Sequence, residues 1–335
     1  MRKHFIPVLL GFFILLQGSC SSDNKKLKIG FLADNFIALR WQKEKKYFTE
    51  KAEELGADVL VRSAEEKQGD QLAVAEEMFE QGIDVLVIIA ANANSAAAIV
   101  RKAHEKNIKV IGYDRLIKNS PLDFYISFDN EAVGSLMAKY LLDIIPEGNY
   151  VLINGDKSDN NAVAVYNGIM EVLKPKADNV NIVYSGFMDG WSGKEATFYI
   201  EKIINLSGVK IDAIISSYDG LSDGIIEVLK KYNLENDVLV TGQDAELAAC
   251  ARIMEGEQVM TIYKPGKEIA YHCAEIAVKI ANHEKLQISD SIFNGRQLVP
   301  TLLLAPVVVD KNNIESTIVK DGFWTMDEIQ NFKKM

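Results

Sequence analysis

Residues 109–115 read Lys-Val-Ile-Gly-Tyr-Asp-Arg, a largely apolar run that ends abruptly on an acid and a base. The run lacks the alternation of a strand with one wet face, so it predicts a strand that is covered on both faces. Such strands are typical of parallel sheets that carry a helix layer on each side. The pair Asp114-Arg115 then falls at the carboxyl end of the strand, where open α/β sheets bind their ligands.

The same kind of run recurs from residue 27 to about residue 285, with helical patterns between the copies. The other predicted strands are Lys28–Ala33, Asp58–Ser63, Asp84–Ala90, Phe124–Phe128, Tyr150–Asn154, Ile182–Phe187, Ala213–Ser216, Val238–Thr241 and Met260–Tyr263. Because the runs form two series of similar size, we predict an α/β protein with two doubly wound parallel-sheet domains. Beyond residue 285 the alternation of strand and helix patterns ends. The remaining chain contains one apolar run, Leu302–Val309, and a predicted polar helix from Met326.

The N-terminal 20 residues have the pattern of an export signal. They begin Met-Arg-Lys, continue with an apolar run from Phe5 to Leu16, and end Gln-Gly-Ser-Cys. An apolar run this short does not span a bilayer as a stable helix, which needs about 20 residues. We therefore predict a signal peptide over residues 1–19 and lipidation of Cys20, which places the protein in the periplasm or cell envelope with only an N-terminal lipid in the membrane. The alternative is an ordinary cleaved signal with Cys20 near the cut by chance.

Composition narrows the possible partners. The chain has 335 residues, of which 48% are hydrophobic and 25% charged, and its formal net charge is −10. Binding of nucleic acid or anionic lipid through a general basic surface is therefore not expected, since both need an excess of Lys and Arg. Apart from Cys20 the cysteines are Cys250 and Cys273, too few for a disulfide scaffold, and we expect two buried thiols.

Polar and aromatic side chains follow nearly every predicted strand of both series. The candidate binding residues are Arg40, Trp41, Asn92, Asp114, Arg115, Asp159, Asn161, Trp191, Tyr218, Asp244 and Lys264. Carboxylates, guanidinium groups and amides make strong hydrogen bonds to hydroxyls, and an indole covers the apolar face of a ring, so the set suits a sugar. For any single Asp or Asn, capping of the following helix is the alternative. Arg40-Trp41 read alone also fits a surface arginine beside a core tryptophan.

Other chemistries lack their motifs in this sequence. Neither GxGxxG nor GxxxxGK[ST] is present, so nucleotide binding lacks its phosphate cradle. The histidines occur without HExxH or a cysteine-rich partner, and the loop that starts at Asp156 lacks the glycine and glutamate of a calcium site. No nucleophile elbow or singled-out carboxylate pair is found. We expect no catalytic residues, no metal and no cofactor.

Several stretches carry a resemblance to a known family between about Lys28 and Phe323. They are Arg40-Trp41-Gln42-Lys43, Tyr113-Asp114-Arg115, residues 123–130 (DFYISFDN), Asp159-Asn160-Asn161-Ala162, Asp189-Gly190-Trp191, Gly242-Gln243-Asp244-Ala245, Tyr263-Lys264-Pro265 and Lys311-Asn312-Asn313-Ile314. In these the chain resembles the ribose/galactose-type family of periplasmic binding proteins, and within it the D-xylose-binding group that serves ABC sugar transporters. The resemblance implies a type I periplasmic binding protein fold, a monosaccharide ligand, most specifically D-xylose, and no catalysis.

The resemblance also implies which residues bind the sugar. Carried over position by position, they are Arg40, Asp114, Arg115, Asp159, Asn161, Trp191, Asp244 and Lys264. Tyr218 is a departure, because the family has an asparagine there, and a phenol takes more space than an amide. D-xylose specificity is therefore less firmly implied than sugar binding, and another pentose or a hexose stays open.

The family layout implies two lobes joined by a three-segment hinge. Residues 25–132 with 266–303 would form the N-terminal lobe, and residues 133–265 with 304–335 the C-terminal lobe. We expect a monomer whose lobes close on the sugar and then engage an ABC permease, with a membrane sensor histidine kinase as the alternative partner. Two rivals have less support: a sugar-responsive transcription regulator would need a DNA-binding element where the signal peptide lies, and an extracellular carbohydrate enzyme would alter its sugar.

Overall fold

The computed structural model describes residues 26–332 except residues 68 and 207. The predicted signal peptide and Cys20 lie outside the described residues. The strands are β1 (Lys28–Ala33), β2 (Asp58–Ser63), β3 (Val85–Ile88), β4 (Lys109–Tyr113), β5 (Phe124–Phe128), β6 (Gly148–Asn154), β7 (Val180–Phe187), β8 (Ala213–Ser216), β9 (Leu239–Val240), β10 (Thr261–Tyr263), β11 (Ser291–Phe293), β12 (Leu298–Leu304) and β13 (Val307–Val309). The helices are α1 (Leu39–Glu54), α2 (Gln71–Glu80), α3 (Ala97–Glu105), α4 (Asn130–Ile144), α5 (Asn160–Leu173), α6 (Gly193–Leu206), α7 (Asp219–Lys231), α8 (Leu247–Glu255), α9 (Gly266–Ala281) and α10 (Met326–Asn331).

The first sheet contains seven strands in the order β11-β12-β5-β4-β3-β1-β2. Strands β1 to β5 and β12 run parallel, and β11 pairs antiparallel with β12 at the edge. Buried residues of α1 and α9 pack on one face, around Phe31 and Tyr113, and residues of α2 and α3 pack on the other, around Leu86. Both faces are therefore covered, as the unbroken apolar runs predicted.

The second sheet is smaller and entirely parallel, in the order β7-β6-β8-β9. Helices α6 and α7 cover one face and α4 and α5 the other. Beside it β10 and β13 form an antiparallel pair, and a bridge between Gln243 and Ile262 links this pair to the loop after β9. The predicted α/β class with two parallel sheets is confirmed.

The apolar run Leu302–Val309 does not form one strand. Its first part belongs to β12 in the first sheet, and its second part is β13, which pairs with β10 beside the second sheet. Ala305 and Pro306 separate the two, and proline has no N–H to contribute to a ladder, so the chain leaves one sheet here. In the described residues the chain thus passes between the sheets after β5, after β10 and after β12.

The other boundaries differ mainly in length. The segments predicted over Asp84–Ala90, Val238–Thr241 and Met260–Tyr263 are shorter strands in the structure: each starts one residue later, and the first two also end earlier. The predicted helix from Met326 is present as α10, and Thr325 and Glu328 form a capping box at its start. Among the described residues, no helix is both long and apolar enough to cross a membrane.

Candidate ligand-binding cleft

A cavity of about 780 Å³ lies where the carboxyl ends of strands from both sheets face each other. Loops after β1, β3, β4, β6, β7, β8, β9 and β10 contribute to its walls. The candidate residues that line it are Arg40, Trp41, Asp114, Arg115, Asp159, Asn161, Trp191, Tyr218, Asp244 and Lys264. The strand-end argument therefore brings residues from distant parts of the chain to one place.

Asn92 is the candidate that the structure does not place on the wall. Its Oδ1 accepts the backbone N–H groups of Asn94 and Ser95, each at 3.0 Å, in the turn that leads into α3. The prediction that Asn92 belongs to the site is corrected to a local turn-forming role. An Asn after a strand forms such turns readily, and sequence position alone does not separate the two roles.

Arg40 is the centre of the charged network. Its side chain is 7% exposed, its Nε donates to Glu44 Oε1 at 2.6 Å, and its Nη2 donates to Asp114 Oδ2 at 2.6 Å. Although burial favours the neutral form, the neighbouring carboxylates raise the pKa of Arg40 well above its ordinary value. The guanidinium also lies over the ring of Trp41, 4.4 Å from its centroid. Arg40 is thus a fixed positive charge at the base of the cleft.

Glu44 supports this charge from beneath the cleft and was not among the predicted site residues. It is fully buried, and its Oε2 accepts the hydroxyl of Tyr113 at 2.7 Å. Burial raises the pKa of Glu44 to about 7, with Arg40 acting in the opposite direction. Its position four residues after Arg40 on α1 places both side chains on one helix face, which is the signal that could have identified it.

Asp114 connects the two halves of the cleft. Its backbone has a φ of 62°, and its carbonyl oxygen accepts from Tyr125 Oη at 2.9 Å and Ser127 Oγ at 2.8 Å. Across the cleft, Asn161 Nδ2 donates to Asp114 Oδ1 at 2.9 Å. Burial acts to raise the pKa of the Asp114 carboxyl, but Arg40 and Lys264 hold it below its ordinary value. Asp114 therefore stays an anion although it is only 3% exposed.

Arg115 forms the second link between the halves. Its Nε lies 3.3 Å from Asp159 Oδ2, and its Nη1 donates to the carbonyl oxygen of Ala90 at 3.1 Å. Asp159 is also the N-cap of α5, where its Oδ1 accepts the N–H of Asn161 at 2.9 Å. Burial raises the pKa of Asp159, and Arg115 opposes that rise. Asp159 therefore both caps α5 and lies in the cleft, although the sequence presented these roles as alternatives.

Trp191 and Tyr218 form an aromatic corner on the second-sheet side. Their ring centroids are 6.0 Å apart and the rings are nearly perpendicular, at 84°. The indole lies against Gly155, where a Cβ would stand 2.1 Å from Trp191 Cζ3, so only glycine gives the ring this place. The hydroxyl of Tyr218 donates to Glu246. Tyr218 therefore presents its ring to the cleft, while its hydroxyl proton is already bonded to Glu246.

Asp244 and Lys264 complete the charged lining. Lys264 Nζ lies 3.4 Å from Asp244 Oδ1, and Arg40 Nη1 lies 3.5 Å from the same oxygen. Lys264 is 3% exposed, so its ammonium is held in the cleft wall and not in solvent. The first and second sheets thus share an ion-pair network through Arg40 and Asp244.

Three wall residues stand outside the predicted binding set. Gln243, Glu246 and Trp324 line the cavity beside the predicted residues. Gln243 follows a predicted strand directly before Asp244, and Glu246 lies in the same loop, whereas Trp324 follows no predicted strand. Within the described residues, Gln243 Oε1 and Asn161 Oδ1 are buried acceptors without a hydrogen-bond partner. Two ligand hydroxyls, one donating to each oxygen, would satisfy both.

The lining is suited to holding a polar molecule. Residues 26–332, apart from the two gaps, contain no group of three or more His, Cys, Asp or Glu placed to hold a metal ion. Cys250 and Cys273 are free and buried, as expected, and burial raises the pKa of both thiols. Hydrogen-bond donors, acceptors and aromatic rings face the cleft, together with aliphatic residues such as Ile37 and Leu247.

Comparison with known proteins agrees with this architecture. The family described as periplasmic binding protein domain matches residues 30–285. The chain is 42% identical over 317 residues to the D-xylose-binding periplasmic protein of Escherichia coli strain K12, covering 94% of this chain and 96% of that protein. A multiple sugar-binding periplasmic receptor of Rhizobium radiobacter is 31% identical, covering 90% of this chain and 92% of that one. An ABC transporter solute-binding protein of Clostridium phytofermentans, solved with bound β-D-glucose, superposes with a TM-score of 0.83 at 27% identity, covering 90% of this chain and 99% of that one.

Proposed function

The chain belongs to the periplasmic binding protein domain family, whose members bind substrates and do not convert them, and we propose on that premise that it captures D-xylose and delivers it to an ABC transporter. It is a sugar-binding periplasmic protein, and D-xylose is the specific part of the proposal. Support for D-xylose comes from the 42% identity with two D-xylose-binding proteins, the second from Haemophilus influenzae.

One observation carries the proposal: polar side chains from both sheets meet in the cleft and contact one another there. Arg115 lies 3.3 Å from Asp159, and Asn161 donates to Asp114 at 2.9 Å. A neutral sugar presents many hydroxyls, and each can both donate to these carboxylates and accept from these cations. The cleft therefore offers a ring of partners for a polyhydroxylated ligand.

The proposed mechanism is capture by closure of two lobes. One lobe comprises residues 25–132 with 266–303, and the other residues 133–265 with 304–335. A sugar that contacts both lobes stabilises the arrangement in which they are close, because each hydrogen bond to a charged group contributes about 1.5 to 3 kcal/mol. No covalent bond is made or broken.

Within the cleft, each proposed contact has a chemical reason. The face of Trp191 covers the apolar side of the sugar ring, and Arg40, Arg115 and Lys264 donate to its oxygens. The carboxylates of Asp114, Asp159 and Asp244 and the amide of Asn161 accept from its hydroxyls. Trp41 packs beneath Arg40, and Tyr218 contributes its ring, since its hydroxyl already donates to Glu246.

The proposal includes delivery and location. An export signal over residues 1–19 and a lipid on Cys20 would hold the protein at the membrane surface by its N-terminus, while the body carries the sugar. The closed pair of lobes would then present one joint surface to the permease of an ABC sugar transporter.

Calorimetric titration of the exported chain tests the proposed function. The chain without residues 1–19 is titrated with D-xylose, D-ribose, L-arabinose, D-glucose and D-galactose. We expect one site per chain and the lowest Kd for D-xylose, with the sugar recovered unchanged afterwards. Absence of heat with every sugar would contradict sugar capture, and a lower Kd for a hexose would contradict the assignment of D-xylose.

A further inference from the structure

The C-terminal segment, residues 323–332, forms part of the cleft wall. Phe323, Trp324 and Phe332 line the cavity, although they follow the last strand by many residues. Helix α10 packs against α8, and Ile329 is buried in the same apolar cluster as Ala245 and Trp324. The segment is therefore held firmly beside the loop that carries Asp244.

A hydrogen bond joins this segment to the Asp244 turn. Trp324 Nε1 donates to the carbonyl oxygen of Ala245 at 2.8 Å, and the indole is 6% exposed. Asp244 and Ala245 have φ values of 88° and 51°, so two consecutive residues with side chains lie in the left-handed region. Such a backbone persists only where its surroundings fix it.

The N–H groups of Asp244 and Ala245 are both bonded to one strand. The N–H of Asp244 donates to the carbonyl oxygen of Ile262 at 2.8 Å, and the N–H of Ala245 donates to Thr261 Oγ1 at 3.2 Å. Both partners lie on β10, so they hold the N–H side of the turn. The indole of Trp324 instead donates to the carbonyl oxygen of Ala245, which also accepts the longer bond from Cys250 Sγ at 3.6 Å.

The direction of the Asp244 carboxylate depends on this turn. Its Oδ1 lies between Lys264 Nζ, at 3.4 Å, and Arg40 Nη1, at 3.5 Å. Arg40 belongs to α1, which packs on the first sheet, whereas Asp244 follows β9 of the second. A rotation of the turn would therefore move the carboxylate away from the cation that faces it across the cleft.

Trp324 is also contacted from the side of the first sheet. Lys43 on α1 lies over the indole ring, 3.9 Å from its centroid, and donates to the carbonyl oxygen of Phe323. One face of the ring thus meets α1 while its N–H holds the Asp244 turn. The indole therefore contacts both halves of the cleft: Lys43 of α1 on one side and the Asp244–Ala245 turn on the other.

We infer that Trp324 is a positioning residue for the sugar site: its indole N–H fixes the Asp244–Ala245 turn and so aims the Asp244 carboxylate at the ligand. The inference rests on the proposed function, because it assigns a role toward the sugar. It states that Trp324, which lies in the C-terminal segment and in none of the loops that follow the strands, controls the affinity for the sugar through Asp244.

The variant Trp324→Phe tests the role of the N–H, since it keeps an aromatic ring under Lys43 and removes the donor. We expect the Kd for D-xylose to rise about tenfold, the size of one buried hydrogen bond. Tyr150→Phe is the matched control: Tyr150 Oη donates to the carbonyl oxygen of Ile145 at 2.6 Å in the second-sheet core, and Tyr150 does not line the cleft. That variant should leave the Kd unchanged even if it unfolds at a lower temperature.

A double-mutant cycle with Asp244→Asn separates positioning from general structural support. If Trp324 acts through Asp244, adding Trp324→Phe to Asp244→Asn raises the Kd by less than about threefold over Asp244→Asn alone. A full further tenfold rise would overturn the inference, as would a Kd for Trp324→Phe within twofold of the wild-type value. Failure of the wild-type chain to bind any sugar would instead contradict the proposed function.

A second measurement uses the unmodified chain and does not depend on the folding of any variant. The sequence has three tryptophans, so the indole N–H region of a ¹⁵N–¹H spectrum holds three side-chain signals to assign. Saturating D-xylose should shift the Trp324 signal, because a sugar bound to Asp244 alters the turn to which the Trp324 indole N–H donates. An unshifted Trp324 signal at saturation would contradict the inference.

Discussion

Replacing Arg115 with alanine is expected to weaken D-xylose binding at least about thirtyfold, or about 2 kcal/mol. The Arg115 guanidinium extends across the cleft from the end of β4: its Nε lies 3.3 Å from Asp159 Oδ2, and its Nη1 donates to the carbonyl oxygen of Ala90. Its side chain is 23% exposed, so a sugar can reach it while most of its bonds are shielded from water. Alanine removes both the donors that we assign to the sugar and the contact between the halves of the cleft.

A second consequence adds to the loss. The Asp159 side chain is only 10% exposed, and without Arg115 its carboxylate loses the cation that opposes the effect of burial on its pKa. A buried carboxylate without a partner is costly, so Asp159 would adjust its position or bind a proton. Either change removes an acceptor that we assign to a sugar hydroxyl.

Calorimetry of Arg115→Ala beside Arg101→Ala checks this prediction. Arg101 lies exposed on α3 and does not line the cleft, so its loss makes the same change of charge away from the site. We expect Arg101→Ala to bind like the wild type. A Kd for Arg115→Ala within threefold of the wild-type value would remove Arg115 from the proposed site.

Replacing Gly168 with alanine is expected to lower the free energy of unfolding by about 2 kcal/mol. Helices α4 and α5 cross where Gly168 faces Glu131, and a Cβ on Gly168 would lie 1.9 Å from the carbonyl oxygen of Glu131. Gly134 on the other helix is equally close, with its Cβ position 1.9 Å from the carbonyl oxygen of Val165. Backbone atoms cannot turn aside as a side chain can, so the helices must separate.

The expected size follows from two opposing effects. Overpacking of this kind costs about 1 to 3 kcal/mol, whereas alanine in a helix interior gains about 1 kcal/mol over glycine. We expect the clash to win at the upper end of its range, because the obstructing atoms are backbone and the cluster around Val165 and Ile169 is fully buried.

Urea unfolding of Gly168→Ala and Asn167→Ala tests this packing. Asn167 is the exposed neighbour on α5, so alanine there should leave stability unchanged or raise it slightly. Equal or greater stability of Gly168→Ala would show that α4 and α5 do not approach as closely as the structure has them.

The sequence predicted the central strands well because these are covered on both faces. Runs such as Lys28–Ala33 and Lys109–Tyr113 begin and end as predicted. Hydrophobicity alone does not divide the apolar run Leu302–Val309, whose two halves pair with different sheets; only the family resemblance implied a change of lobe at residue 304. Pro306 was the available signal, since proline interrupts a ladder.

The site was predicted from two arguments: the rule that ligands lie beyond the carboxyl ends of parallel strands, and the family resemblance. The rule brought Arg40, Asp159 and Asp244 to one cavity from distant parts of the chain. It failed for Asn92, which forms a turn with its neighbours. It also could not find Trp324, because a tail that folds back over the cleft is placed by tertiary packing and leaves no local pattern.

A crystal structure grown with D-xylose tests the central claim most directly, namely that one sugar is held between the two lobes. We expect one D-xylose in the cleft, stacked on Trp191 from the second-sheet side and hydrogen-bonded to Arg115 from the first. A sugar that touches only one lobe, or a cleft without sugar when the crystal is saturated with D-xylose, would contradict the account.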